Sequence, residues 1–404
     1  MQQSKLPHEK IENLIRIILP YFILFSFITT IFGAWSGYLM HHPFNMGDWL
    51  INYNGGFIRR GFLGTSIIYL SQINNLNPGI NTIIFQIIFY TIFFWYSYKL
   101  LKKQQTILPY IFLIFSPFIF TFQINDIGGG FRKEIIYFAL FAFLVFKSLE
   151  KNDNSFKKIF YASLLLYSFL ILTHEIFIIF LPYILIIFTQ KYRVTKKNFL
   201  TLLLFLAPSI IAFIAVIFSY VNNNVDSNAI FLTLANQNYP IEKGAIYWLK
   251  TNSTFNLNFV MENINAYHYY FTYSLALTLG IVGFIPLSKK LYNIFINKIS
   301  LFLILISILG SIPLFIVAAD WGRFIYIHLV SWFLLSLLNT QQIEYKKTFH
   351  NFNTSILIFL YFSFWHIPHC CSNTIFINKN NNIIKNWLMP YMYVSAYYMN
   401  NSSN

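Results

Sequence analysis

Three short stretches of this chain set glycine, a basic side chain and an acid within a few residues of one another. The first runs from Gly47-Asp48-Trp49 to Gly55-Gly56-Phe57-Ile58-Arg59-Arg60-Gly61, and the second is Asn125-Asp126-Ile127-Gly128-Gly129-Gly130-Phe131-Arg132-Lys133-Glu134. The third is Asp320-Trp321-Gly322-Arg323. The first two read alike: an Asn, a glycine run, Phe and a basic pair, with a helix-forming stretch after them. Glycine lets a backbone approach a ligand and turn its N–H groups toward it. A helix start adds free N–H groups and about half a positive charge. Arginine adds a planar fork matched to phosphate oxygens. Together they suit a phosphate or diphosphate. Gly55, Gly56, Gly129 and Gly130 are then the backbone of an anion site, with Asp126, Lys133, Glu134, Asp320 and Trp321 as its binding neighbours. The spacing fits neither a P-loop nor a dinucleotide fingerprint. A plainer reading stands beside this one, since glycine turns are common between spans and interfacial Arg or Lys often only anchors a helix.

The acids divide by whether a partner is near in sequence. Asp126 with Arg132, and Asp320 with Arg323, read equally well as local ion pairs, and Glu134 as a favourable first-turn acid. Asp48 has no such neighbour and is the expected general base. His174-Glu175, between two apolar runs, is the second acid/base candidate. His366, His369, Cys370 and Cys371 have metal-like spacing but no third placed ligand, and His41-His42 is weaker still, so no metal is assigned. No cofactor is called for, with a divalent cation left open. Two cysteines exclude a disulfide scaffold, and as adjacent residues they pair only under strain.

The elements that must position these groups follow from composition. Of 404 residues, 57% are apolar, 21% aromatic and 10% charged. A soluble domain carries about 25% charged residues, so a water-soluble enzyme is excluded. Eleven apolar runs read as membrane spans: 14–34, 80–98, 106–122, 134–148, 159–173, 175–189, 199–221, 268–287, 299–319, 323–338 and 353–367. The first is too long for a cleaved signal. With the N-terminus cytoplasmic, the inward segments 1–16, 99–105, 147–158, 190–198, 288–298 and 339–352 hold 19 of the 28 basic residues and 5 of the 13 acids. That bias obeys the positive-inside rule. It assigns the net charge of +15 to topology and not to nucleic acid. The expected fold is an all-α polytopic bundle of about eleven spans, one transmembrane domain over 1–367, with the C-terminus periplasmic. Outer segments 35–79 and 222–267 are long, and 62–71 reads as a helix on or in the membrane surface. The Asn/Tyr-rich tail 368–404 reads as loosely ordered, with Trp387 and the tyrosines of 391–398 at the interface.

Polar groups gathered on one outer face, at headgroup depth, point to chemistry on lipid-linked anionic substrates. Glycosyl transfer needs a base for the acceptor and cations for the departing phosphate. Outer aromatics such as Trp35, Trp49, Trp248, Tyr267, Tyr269 and Trp321 suit sugar faces, and equally an interfacial belt. The three motifs, with the topology of the whole chain, resemble the membrane proteins of bacterial surface-polysaccharide clusters assigned as O-antigen polymerases of the Wzy type. The resemblance implies an inner-membrane polymerase joining undecaprenyl-diphosphate-linked repeat units at the periplasmic face. Membrane lipid and a chain-length regulator protein are its implied partners. It implies catalytic arginines in periplasmic loops, here Arg59, Arg60, Arg132 and Arg323. It departs from that family in loop 222–267, which holds Lys243 and Lys250 but no arginine. An outer first loop bearing Asp48 before a membrane-surface helix also looks like the C-type glycosyltransferases, which use a polyprenyl-phosphate sugar. A polysaccharide-lipid flippase is a third reading, against which stands the lack of an internal repeat of spans.

Overall fold

The structure is a computed structural model that describes residues 6–150, 152–222, 225–340, 360–373, 375–376 and 383–402. Its helices in chain order are α1 (Leu6–Leu39), α2 (Gly61–Asn74), α3 (Pro78–Lys103), α4 (Ile111–Ile114), α5 (Phe122–Asn125), α6 (Ile127–Gly130) and α7 (Glu134–Ser148). After these come α8 (Asp153–Thr173), α9 (Phe177–Lys191), α10 (Lys196–Asn222), α11 (Ser227–Asn236), α12 (Gly244–Tyr247), α13 (Ser253–Ala266) and α14 (Tyr269–Val282). The last four are α15 (Ser288–Phe295), α16 (Lys298–Val317), α17 (Trp321–Ser336) and α18 (Ile383–Ser402). Among the described residues the β-structure is a single bridge, Trp365 to Phe376.

Long uncharged runs make long helices, and their outward faces stay apolar. Five are long and apolar enough to cross a membrane: Glu9–Leu39, α3, α8, Lys196–Ser219 and α16. Tyr269–Val282 and Ile285–Phe295, bent by 46° at the break between them, make a sixth if counted as one span. The peripheral α10 and α16 expose Leu204, Ile211, Phe218, Phe302 and Leu309. Such faces suit hydrocarbon and not water. The helices α7, α9 and α17 have only 15, 15 and 16 residues and are buried on nearly all sides. They form the centre, with α7 packed on α3, α17 and α9. The expected runs 134–148, 175–189 and 323–338 are therefore helical but shorter than a span's usual ~20 residues.

The run 106–122 is not a helical span. It holds the four-residue α4 and then irregular backbone up to α5. Pro109 and Pro117 supply no N–H. Polar side chains take over part of the hydrogen bonding: Ser116 donates to the Leu113 carbonyl (2.7 Å), Thr121 to that of Ser116 (3.0 Å), and Gln123 to Phe120 O (2.9 Å) and Thr30 Oγ1 (2.8 Å). Phe118, Ile119, Phe120 and Phe122 are wholly buried. Irregular backbone at membrane depth is tolerated when it is enclosed in protein in this way. Of the run 353–367, residues 353–359 lie outside the described residues, and only 360–363 of the remainder are helical.

The connecting segments gather at two ends. At one, Arg16 donates to the carbonyls of Gln104 (3.1 Å) and Gln105 (2.9 Å), while Glu12 accepts from the N–H groups of Ile107 and Leu108. There Lys290 reaches Gln104 and Asn339, and Lys191 reaches the carbonyls of Ser148 and Glu150. These are the segments read as inward, apart from residues 1–5, 151 and 341–352, which lie outside the described residues. At the other end the two long outer segments cover one another. Asn54 donates to Thr233 (2.9 Å), Asp226 N–H to Gly55 O (3.1 Å) and Ala245 N–H to Pro43 O (3.1 Å). The Tyr239 ring stacks with Tyr38 and His41. Within 222–267, α11 and α12 thus form a helical cover over the first outer segment, while α13 packs on α14 and α16. The stretch 62–71 lies within α2, as expected. The tail differs from expectation: α18 is ordered on α1, with Trp387 stacked on Phe25 at 5.0 Å and Tyr391 hydrogen-bonded to Thr29 at 2.8 Å. Trp387 and Tyr391 thus fill a helix–helix seam, while Tyr393, Tyr397 and Tyr398 stay exposed.

Candidate functional site

Each of the three motifs ends in a helix start. Arg60 is the N-cap residue of α2, in the left-handed region at φ 69°, Lys133 precedes α7 and Asp320 precedes α17. Hydrogen bonds then stitch the motifs together. Lys133 Nζ donates to the carbonyls of Arg60 (3.0 Å) and Thr173 (3.2 Å), tying the first motif and the His174 turn to the second. Trp49 Nε1 donates to Phe131 O (2.9 Å) and Tyr90 OH to Gly130 O (2.6 Å). Gly322 N–H donates to His369 O (3.1 Å), bringing the 366–373 loop onto the third motif. A Cβ at Gly322 would overlap the Pro368 carbonyl, so this approach requires glycine.

The result is one charge cluster, buried at Asp48, Arg132, Lys133, Glu134 and Arg323 and partly exposed at Arg59, Arg60 and Glu175. Arg60 grips Glu175 through Nε (3.0 Å to each oxygen) and Nη2 (2.7 Å), with Arg59 3.5 Å from the same carboxylate. On its other side Arg60 lies 3.6 Å from Asp48. Arg323 bridges Glu134 and Asp320. Asp126 accepts from His369 Nδ1 (2.8 Å) and from the His369 backbone N–H. Burial pushes the Asp48 carboxyl up, but Lys133, Arg60 and Arg132 outweigh it and hold it well below the usual range. Glu175 is likewise held far down against its burial, chiefly by Arg60. Burial lowers Lys133 to about 8 despite Asp48 beside it. His174 is lowered by burial and by Arg60, so it stays neutral. Asp126 is brought to about 2, its burial overcome by His369, whose own value rises because Asp126 outweighs its burial.

Arg132 differs from the other cluster arginines. Its Nε donates to Gly128 O (3.1 Å) and its guanidinium lies 4.8 Å from the Phe44 ring. Only 4% of the residue is exposed. Among the described residues its terminal nitrogens meet no carboxylate and no carbonyl. Burial and then Arg323 lower its pKa against the weaker pull of Asp48, Asp320 and Glu134, so it is a desolvated cation whose nearest carboxylates act at a distance. A buried cation with no carboxylate in contact is costly, and an anion brought to its terminal nitrogens would relieve that cost.

The structure thus brings together Asp48, Arg59, Arg60, Arg132, Lys133, Glu134, His174, Glu175, Asp320 and Arg323, with Asp126 at the edge. Several sequence expectations change. Asp126 pairs with His369, not with Arg132. Asp320 does pair with Arg323, and Glu134 reaches across to Arg323 in addition to heading its own helix. Asp48 is not partnerless: as the wholly buried counter-ion of Arg60 and Lys133 it is a poor base. Glu175, clamped by arginine, is no freer. Gly55, Gly129 and Gly130 do not line a cradle, because a Cβ there would meet the Asp226 carbonyl, the His369 side chain and the Gln123 backbone respectively. Gly56 is the conformational glycine, at φ 99°. Trp321 donates to Phe315 O and packs against Tyr269, Tyr270 and Phe315 in place of presenting an open face to sugar. Sequence reading missed Phe44 under Arg132. It also missed His42, whose pKa burial and Arg132 depress to about 4, and His369 as the partner of Asp126. Cys370 and Cys371 are both free thiols, and Asp320, His369 and Cys370 carry donor atoms within 4.8 Å of one another.

No protein-family model, curated protein or solved structure matches the chain. The chemistry of the cluster is what bears on function.

Proposed function

We propose that this chain joins lipid-linked oligosaccharide repeat units into an O-antigen or related surface polysaccharide. It transfers glycosyl units from an undecaprenyl-diphosphate carrier at the periplasmic face of a bacterial inner membrane. The observation that supports this most is Arg132, a buried cation whose terminal nitrogens await an anion, beside Arg59, Arg60, Lys133 and Arg323. Departure of a diphosphate from an anomeric carbon passes through an oxocarbenium-like state with charge building on the leaving oxygens. Fixed cations in a dry site stabilise that charge, and one such donor is worth about 10²–10³ in rate. In this reading Arg132 and Arg59 contact the diphosphate, and Asp48 and Glu175 hold Arg60 and Lys133 in place. Arg323, fixed by Glu134 and Asp320, closes the cluster.

The finer topology belongs to the same proposal. Eleven crossings put the charge cluster in the periplasm and the lysine-rich end in the cytoplasm, with the N-terminus inside and the C-terminus outside. The deciding experiment replaces Arg132 with Ala in cells that rely on this chain for their polysaccharide. Long chains disappear while single repeat units still reach the outer face. Failure to deliver single units makes the chain a flippase. Loss of one sugar supplied by a monophosphate carrier makes it a C-type glycosyltransferase. If deleting the chain causes no lipid-linked sugar to accumulate, the glycan reading falls altogether.

A further inference from the structure

We propose that Asp320, His369 and Cys370 bind one divalent transition-metal ion of borderline softness, with zinc the natural case. The three donors come from two distant parts of the chain: Asp320 caps α17, while His369 and Cys370 lie on the loop after residue 366. A carboxylate oxygen, a ring nitrogen and a thiol sulfur lie within 4.8 Å of one another, all on half-buried residues. An O, N, S set of this kind selects zinc over calcium or magnesium, which take oxygen alone. Zinc bond lengths of about 2.0–2.3 Å place donors roughly 3.5 Å apart, so the ion draws them in by about an ångström.

The surroundings match what such a site needs. His369 spends Nδ1 on Asp126 at 2.8 Å, which leaves Nε2 for the metal. A carboxylate behind a ligating histidine fixes the ring and raises its basicity. Asp320 gives one oxygen, Oδ2, to Arg323, and the other remains for the ion. The loop is held by two backbone bonds, His369 N–H to Asp126 and Gly322 N–H to His369 O, so the donors are placed before any ion arrives. The neighbouring Cys371 thiol hydrogen-bonds to that of Cys370 and also lies 3.8 Å from the Tyr269 hydroxyl, so metal binding at Cys370 would replace the thiol–thiol contact. A cavity of about 310 Å³, lined by Asp126, His366, His369, Cys370, Asn386 and Met389, opens beside the loop. Two of the three donor residues, His369 and Cys370, line it, which gives the site a side open to an ion and an exchangeable ligand. With three protein donors the site keeps one open position, which is the pattern of a reactive zinc and not of a closed structural one.

The test uses the full-length chain in detergent, stripped with a chelator and titrated with Co²⁺. The expected result is one equivalent bound with a thiolate-to-cobalt band in the near ultraviolet. Cys370→Ser abolishes the band, and Cys371→Ser keeps it. His369→Ala and Asp320→Asn each weaken cobalt binding at least ~10-fold, and Asp126→Asn weakens it by about 10–100-fold. A readout on the unaltered chain guards against misfolded variants: Zn²⁺ protects Cys370 from alkylation and leaves Cys371 reactive, as mapped by mass. Absence of the band in the unaltered chain, its loss with Cys371→Ser, or equal alkylation of Cys370 with and without zinc overturns the proposal. No glycan substrate enters these measurements, so their failure and failure of the glycosyl-transfer reading are separate results.

Discussion

The two ends of the bundle both carry charge but use it differently. At the lysine-rich end the cations mostly cap carbonyls of neighbouring turns and reach the surface. Lys147 and Glu150, for example, pair with 26% and 37% of their side chains exposed. At the opposite end Arg323 and Glu134 pair at 5% exposure each, and Asp48 has none. Number therefore says little about purpose. The sequence assigns most of the chain's basic residues to the first end, where pairs such as Lys147–Glu150 are partly exposed and contribute little singly. The few at the second end are mutually dependent, because burying a charge is tolerated only when others answer it.

That contrast can be broken by substitution. The largest effect is expected from Arg323→Ala, which strands Glu134 and Asp320. Thermal unfolding in detergent should lose about 3–5 kcal/mol, and a loss below ~1 kcal/mol would mean the cluster is wetter than its geometry indicates. Arg132→Ala should do the reverse. Under the proposed function glycosyl transfer falls about 10²–10³-fold while the unfolding temperature holds or rises, since a buried cation with no carboxylate in contact is removed.

Lys133 sharpens the comparison through pH. Its folded value lies near 8, below the ordinary 10.5. Between those values the unfolded chain binds the proton and the folded chain does not. Folding stability therefore rises over pH 8–10.5, by about 3 kcal/mol, while an anion-binding activity that needs the charged lysine falls. Lys133→Met removes both trends, and a profile unchanged by it would sink the assignment.

The lysine-rich end contains one exception worth testing. Lys290 is nearly buried and donates to Gln104 Oε1 (2.6 Å), Tyr110 OH (3.1 Å) and Asn339 O (2.8 Å). Lys290→Ala should cost about 1–3 kcal/mol, measured as before. The smallest effect is expected for Lys147→Ala, below ~1 kcal/mol. If Lys147 proved as costly as Arg323, the distinction between the ends would be lost.

Much of this was legible before any coordinates. Composition pointed to apolar helices suited to a membrane, and the five that are long and apolar enough to cross one fall on expected runs. Glycine next to a basic pair located the helix starts at Gly61 and Glu134, and Asp-Trp-Gly-Arg the one at Trp321. The misses share a cause. The run 106–122 is apolar enough for a span, yet Pro109, Pro117 and the side-chain bonds of Ser116 and Thr121 make irregular enclosed backbone. Trp387 and Tyr391 looked interfacial because Phe25 and Thr29, which receive them, lie more than 360 residues earlier. Asp48 looked free because its partners, Arg60 and Lys133, are not its neighbours.

Sequence alone determined the helical, membrane-suited character of the chain, the sorting of its basic residues, and the three motifs. Those depend on run length, charge counts and local turn chemistry, all of which act over a few residues. Only the tertiary structure decided which charge answers which. Arg60 meets Glu175 across 115 positions, Arg323 meets Glu134 across 189, and Asp126 meets His369 across 243. An ion pair requires contact within a few ångströms, and at such separations contact is set by how the helices pack.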